Sequence, residues 1–169
     1  MALAAYEKWQ IAGLQAVRSA GQQGAELSTK TSAQSKNPEL KALAQEVAET
    51  HTRHSETLAG YLKEAGEDAD KAHDMIMDGV IKGAALMLEA ATDDDTREVA
   101  LISGEERGLQ YFVPAYASLA QVAETLGKTE QAKAYQSQSE ECEGLSKRYR
   151  KLAQKADKKA AQPADKQAA

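Results

Sequence analysis

The chain has 169 residues, a formal net charge of −5, one cysteine and few aromatic residues. A domain of this length can bury a stable core without disulfides or bound metals, and a lone cysteine excludes an internal disulfide. The composition favours helices over sheets, and no apolar run reaches the roughly 20 residues that a membrane span needs. We therefore expect a cytoplasmic, all-α protein with no membrane partner.

The first two helices are predicted from hydrophobic spacing and from capping residues. The first spans about Ala4–Leu27, and a polar loop is expected over Ser28–Asn37. Asn37 followed by Pro38 is typical of an N-cap and a first helical residue. The second helix then continues until Gly66, a residue suited to the C-terminal cap.

A shorter helix is predicted near His73–Ala91. Its inner stripe is predicted to comprise Ile76, Val80, Ala84 and Met87. The acidic segment Thr92–Asp95 should cap the fourth helix, which continues to Leu126. The inner stripe of that helix is predicted to comprise Val99, Ile102, Glu106, Leu109, Val113, Tyr116, Ala120 and Ala123.

The last helix is predicted to begin near Thr129, after a stop at Gly127, and to end near Ala156. Four long amphipathic helices and one short helix indicate an all-α, antiparallel four-helix bundle with an additional short helix. We place this bundle in residues 1–153. Residues 154–169 are basic and lack apolar periodicity, so we expect a disordered C-terminal tail.

Several segments, in the same order and spacing, resemble the YciF/YciE-like family of bacterial ferritin-like proteins. The segment NPELK at 37–41 is similar to the family's SPELK. Further similarity lies in Ala100–Ile102, Tyr111, Ala115–Tyr116, Leu119–Gly127 and Ala132–Glu141. The resemblance implies a ferritin-like bundle, a homodimer and an association with bacterial stress responses.

A ferritin-like di-metal centre takes a Glu from each of two helices and a Glu-x-x-His from each of the other two. The chain contains no Glu-x-x-His. The resemblance places family ligand positions on Gly21, Thr50, Leu109 and Phe112, and only the acidic pair Glu140–Glu141 persists. We therefore expect a degenerate centre. We also hypothesise that Phe112 fills the space vacated at Gly21.

A residual metal site is the alternative. His51 and His54 lie on the apolar stripe of the second helix, Glu106 lies on that of the fourth, and Glu141 flanks that of the last. Two imidazoles and two carboxylates could bind one iron, manganese or zinc ion. We favour hydrogen-bonded core histidines instead, and expect no cofactor.

The charge is concentrated at one end of the chain. From Lys147 onward there are eight Lys or Arg against two Asp, a balance of +6 that leaves −11 for the rest. Such a cluster could contact nucleic acid, but a solvated helix end is the interpretation we favour.

Three functions follow from these patterns. We favour a non-catalytic, stress-associated bundle that acts through dimerisation or partner binding, and expect no enzyme activity. The second is a metal-binding protein with oxidase or peroxide-handling activity and a rearranged ligand set. The third is a stress protein that contacts DNA through its basic tail.

Overall fold

The computed structural model describes residues 2–161, with side chains from residue 4 onward, and contains five helices over that range. These are α1 (Ala2–Gln34), α2 (Pro38–Glu64), α3 (Met75–Glu89), α4 (Asp94–Thr125) and α5 (Thr129–Ala160). None of them is long and apolar enough to cross a membrane.

The four long helices form two packed hairpins. Helix α1 packs along α2, and α4 packs along α5. Contacts of α1 with α4 and of α2 with α5 close the bundle, while the short α3 lies against α4 and α1 in the crossover between the hairpins. This arrangement confirms the predicted antiparallel four-helix bundle with an additional short helix.

The ends of α2 and α4 occur where the local chemistry predicted them. The Asn37 side chain accepts hydrogen bonds from the backbone N–H groups of Glu39 and Leu40, at 2.8 and 3.3 Å. Asp93 forms a reciprocal capping box with Thr96 at the start of α4. Gly66 and Gly127 follow α2 and α4 with φ of 73° and 71°, a left-handed conformation that glycine adopts without strain.

Helix α1 is longer than predicted. Residues 28–34 were predicted to form a loop, but they continue the helix to Gln34. Ser28 and Thr31 are buried, and both hydrogen-bond to the Glu105 carboxyl of α4. Because these hydroxyls have partners inside the bundle, the polar composition of the segment does not end the helix.

Helix α5 also extends beyond its predicted end, because residues 154–160 are helical rather than part of a disordered tail. Ala156 is buried in the core. Lys155 bonds to Glu39 at 2.9 Å, and Lys159 bonds to Asp95 at 2.6 Å. Packing and ion pairs therefore hold the last two turns against the bundle. Residues 162–169 of the predicted tail lie outside the described residues.

Asp74 joins the start of α3 to α4. This buried residue caps α3 by accepting from the Met77 N–H at 2.7 Å, and its other carboxylate oxygen accepts from the Tyr111 hydroxyl at 2.6 Å. Met77 and Ala84 are the buried residues of α3. The predicted inner stripe was therefore wrong for Ile76 and Met87, which are 65% and 49% exposed.

We expect the substitution Asp74→Ala to lower the free energy of unfolding by about 2 kcal/mol, because it removes a helix cap and a buried hydrogen bond together. Tyr111→Phe removes only the bond between the side chains and should lower the free energy by about 1 kcal/mol. Urea unfolding of both variants measures the difference. Equal losses would mean that the cap contributes nothing.

Candidate functional site at the bundle centre

Four of the positions at which the family resemblance places metal ligands face the interior. Gly21, Thr50, Leu109 and Phe112 are buried on the inner faces of α1, α2 and α4. None of them carries a carboxylate, and Glu140 on α5 is exposed and bonded to Gln136. The residues at these positions therefore do not fit a carboxylate-bridged di-metal centre.

Aromatic rings fill the middle of the bundle. The ring of Phe112 lies 4.3 Å from that of His51 and 5.9 Å from that of Tyr116, centroid to centroid. A Cβ atom at Gly24 would lie 3.0 Å from the His51 ring and 3.3 Å from the Phe112 ring. The absence of a side chain at Gly24 is what makes room for both rings.

The hypothesis that Phe112 fills the space at Gly21 is therefore wrong by one helical turn. Gly21 faces the hydroxyl of Ser55 and the backbone carbonyl of His51 instead. The ring of Phe112 projects onto the next turn of α1, where it meets Gly24.

The second histidine belongs to an ion-pair group at the edge of the centre. His54 is fully buried, and its Nε2 atom lies 2.9 Å from a Glu141 carboxylate oxygen. Arg53 donates to the other oxygen at 2.6 Å. Burial opposes the ionisation of Glu141, but the hydrogen bonds from Arg53 and His54 outweigh it and lower the carboxyl pKa. The ionised carboxylate can only accept, so Nε2 of His54 carries the hydrogen.

Both histidines are neutral at pH 7. Burial lowers the pKa of His51 to about 3, with a further contribution from His54, and Glu141 opposes the shift. Burial also lowers the pKa of His54, against the opposing effect of Glu141. The Nδ1 atoms of both rings and the Tyr116 hydroxyl have no hydrogen-bond partner among the described residues. The centre therefore contains uncharged rings with unused polar atoms.

Only part of the predicted residual metal set comes together. His54 and Glu141 are in contact, whereas Glu106 pairs with Arg150 at 3.1 Å. Within residues 4–161, no group of three or more His, Cys, Asp or Glu side chains is arranged to hold a metal ion. Metal binding by His51, His54, Glu106 and Glu141 stays a prediction.

The buried carboxyl of α4 is that of Glu105, which the predicted stripe did not include. Glu105 is 2% exposed and accepts a hydrogen bond from Ser28 at 2.7 Å and one from Tyr149 at 3.4 Å. Its second oxygen has no partner in the described part of the chain. Burial raises the pKa of Glu105 to about 7, even though Thr31, Ser28 and Tyr149 favour the charged form.

The basic cluster of α5 is largely paired with acidic side chains of the bundle. Arg148 makes a two-pronged contact with Glu46 of α2, with one distance of 2.7 Å. Further pairs join α5 to α2 and α4: Lys155 with Glu39, Arg150 with Glu106, and Lys159 with Asp95. These ion pairs bridge the interfaces of α5 with α2 and α4.

Comparison with known proteins places this geometry in a family. A family model described as a domain of unknown function, DUF892, matches residues 6–162. The structure is similar to that of the Escherichia coli stress protein YciF, with a TM-score of 0.83 and 23% identity over 91% of this chain and 98% of that one. YcfI from Rhodopseudomonas palustris gives a TM-score of 0.80 and 21% identity over 86% and 92%. No curated protein sequence matches the chain.

The fold is thus that of YciF, a ferritin-like helical bundle with an additional short helix. The family match spans nearly the whole described chain, so it covers the filled centre as well as the outer helices. The chain belongs to the DUF892 family and is a YciF-like member of it.

Proposed function

We propose that this chain is a non-catalytic, stress-associated bundle that acts as a homodimer and has given up the metal centre of the ferritin-like fold. The single observation that carries the proposal is the packing of Phe112 and His51 against Gly24. The stress association rests on the description of YciF as a stress protein. A cytoplasmic location stays a prediction.

The packing of the bundle centre argues against metal-based redox chemistry there. A di-metal centre needs several carboxylates and room for an exchangeable ligand. Here the apolar ring of Phe112 occupies the centre, and the buried positions Gly21, Thr50 and Leu109 supply no carboxylate. Removing buried carboxylates also removes a desolvation cost of several kcal/mol per ion, roughly, that bound metal would otherwise offset.

Metal analysis tests this proposal. Protein purified without chelator and then incubated with iron, manganese or zinc should retain well below one ion per chain. The variant His54→Ala should give the same result as the wild type, and as His73→Ala, which removes an exposed histidine. Stoichiometric metal that is lost in His54→Ala and kept in His73→Ala would establish the metal-binding alternative.

The homodimer is supported by the outer face of α3. Met75, Ile76 and Leu86 are 69%, 65% and 67% exposed, and Met87 lies beside them. At about 100° per residue, these side chains share roughly one-third of the helix circumference, opposite Met77 and Ala84. A helix that is apolar on both faces is normally covered on both, so a partner is needed for the outer one.

The same face favours a second helix as the partner. Gly79 and Gly83 lie between the exposed apolar residues, and the positions of their missing Cβ atoms are open. Two small residues four apart allow two helix backbones to approach closely. A second copy of α3, related by a twofold axis, would present the same stripe in return. We therefore propose that α3 pairs with α3 of a second chain.

Sedimentation and light scattering test the dimer. The wild type should be a dimer at micromolar concentration, whereas Ile76→Glu with Leu86→Glu should be a folded monomer, because the charges would be buried without partners. Trp9→Glu is the matched control, since Trp9 is also a large exposed residue, 58% accessible, but lies on α1. Dissociation by the control, or a double variant that stays dimeric, would contradict the proposal.

The pairing of the α5 cations bears on the DNA-contacting alternative. Arg148, Arg150 and Lys155 are each bonded to a carboxylate of α2 or α4. A cation that already neutralises a carboxylate gains less from a phosphate, so this face favours a role in closing the bundle.

A further inference from the structure

A small cavity lies between α1, α3 and α4, away from the filled centre. Its volume is about 190 Å³. Leu27 of α1 and the α3 residues Ile81 and Leu88 supply aliphatic walls, while Ala85 and Ala100 are too small to fill the space. The lining is therefore that of a site for an apolar group rather than for a cluster of water molecules.

The cavity cannot close by a collapse of α3 onto α4. A Cβ atom at Gly104 would lie 2.9 Å from the Cβ atom of Ala84, so the two helices already touch at this point. The N-terminus of α3 is fixed by the bonds of Asp74 to Met77 and Tyr111. The space beside the contact is thus held open by the packing around it.

One side of the cavity is polar. Lys30 and Gln34 project from successive turns of α1 and are exposed, whereas Thr31 between them is buried and bonded to Glu105. The ion pairs of the described residues do not include Lys30. A cation and an amide donor therefore lie at the rim of an apolar space, and no carboxylate within residues 4–161 is paired with the cation.

We propose that this cavity binds a small organic carboxylate, with its apolar body between α1, α3 and α4 and its carboxylate on Lys30 and Gln34. A cavity of about 150 Å³ holds benzene, so this one has room for an apolar body of roughly six to eight non-hydrogen atoms. The site lies on the opposite side of α3 from the exposed apolar face and does not include the bundle centre. It therefore stands whether or not the protein is a dimer or binds metal.

Benzoate is the probe, with toluene as the uncharged analogue and benzylamine as the analogue of opposite charge. Titrations followed by amide NMR should show saturable shifts at Ala85 and Ala100 with benzoate and toluene, and weaker binding of benzylamine. Lys30→Met should weaken benzoate binding about fivefold without affecting toluene. Lys41→Met, which removes an exposed lysine of α2, should change neither.

Ala100→Leu places a larger side chain in the cavity and should abolish the binding of both benzoate and toluene. Thermal unfolding shows whether this variant is folded, and Ala85→Leu fills the same space from α3 if it is not. The proposal is overturned if none of the probes shifts the cavity residues. It is also overturned if benzoate and benzylamine bind equally, or if Lys30→Met leaves benzoate binding unchanged.

Discussion

Replacing Glu105 with Gln is expected to remove a loss of stability that the wild-type protein undergoes as the pH rises. Glu105 is buried, one of its oxygens has no partner in the described part of the chain, and its pKa is raised to about 7. The folded protein therefore holds this proton over a pH range in which the unfolded chain has already released it. An uncharged amide of the same shape does not titrate.

The sign follows from the direction of the shift. Between the unfolded pKa of 4.5 and the folded pKa of about 7, the native state binds more protons than the unfolded state, so stability falls as the pH rises. At pH values above the folded pKa, the protein bears the full free-energy cost of ionising the buried Glu105 carboxyl. From about pH 5 to pH 8 the penalty grows by about 2 to 3 kcal/mol, at 1.36 kcal/mol per pKa unit.

Urea unfolding at several pH values measures this effect as the difference between the wild type and Glu105→Gln. That difference should grow by about 2 to 3 kcal/mol across the range, in favour of the variant at high pH. Glu106→Gln is the matched control, because Glu106 is the neighbouring residue but pairs with Arg150 near the surface. Parallel pH curves for the wild type and Glu105→Gln would show that the carboxyl is ionised at neutral pH.

The sequence was sufficient for features that depend on neighbouring residues. The starts of α2 and α4 were predicted correctly because Asn37 and Asp93 cap the helices that they precede. The ends of these helices were predicted because Gly66 and Gly127 can adopt a positive φ. In each case the interaction lies within a few residues, so no knowledge of the packing was needed.

The sequence was not sufficient where a distant residue decides the outcome. Ser28 and Thr31 extend α1 because Glu105 of α4 accepts their hydrogen bonds. Helical spacing is compatible with an inner stripe through Glu106. It is equally compatible with one that comprises Ile102, Glu105, Leu109 and Phe112. One available signal pointed to Glu105: it precedes Phe112, expected inside the bundle, by seven residues, and residues seven apart share a helix face.

The interior placement of Gly21 and Phe112 was predicted correctly, but their pairing was predicted wrongly. The resemblance identified Gly21 and Phe112 as interior positions, and both are buried. The relative axial position of α1 and α4 determines which glycine contacts the Phe112 ring. The sequence of either helix alone does not reveal a shift of one turn between them. The pairing of Phe112 with Gly24 is thus a tertiary fact, and mutations can test it.

Phe112→Ala should lower the free energy of unfolding by about 4 kcal/mol, because it leaves a cavity beside His51 and Tyr116 in a fully buried place. Gly24→Ala alone should cost about 1 kcal/mol, since crowding of the two rings exceeds the gain in helix propensity. In the Phe112→Ala background the contact with Phe112 is gone and the His51 ring has space to shift away from the new methyl group, so Gly24→Ala should become stabilising. The two substitutions should therefore couple by about 2 kcal/mol.

Gly21→Ala separates this pairing from the one suggested by the sequence. Its new methyl group would meet Ser55 rather than Phe112, so its effect should be the same, within about 0.5 kcal/mol, whether or not Phe112 is present. Urea unfolding of six proteins gives both coupling energies. They are the wild type, the three single variants and the two double variants of the two mutant cycles. Coupling at Gly21 and none at Gly24 would move α1 by one turn relative to α4 and restore the pairing that the sequence suggested. Coupling at Gly24 alone means that the ring of Phe112 packs against Gly24 beside His51, one turn of α1 from the position that the sequence suggested.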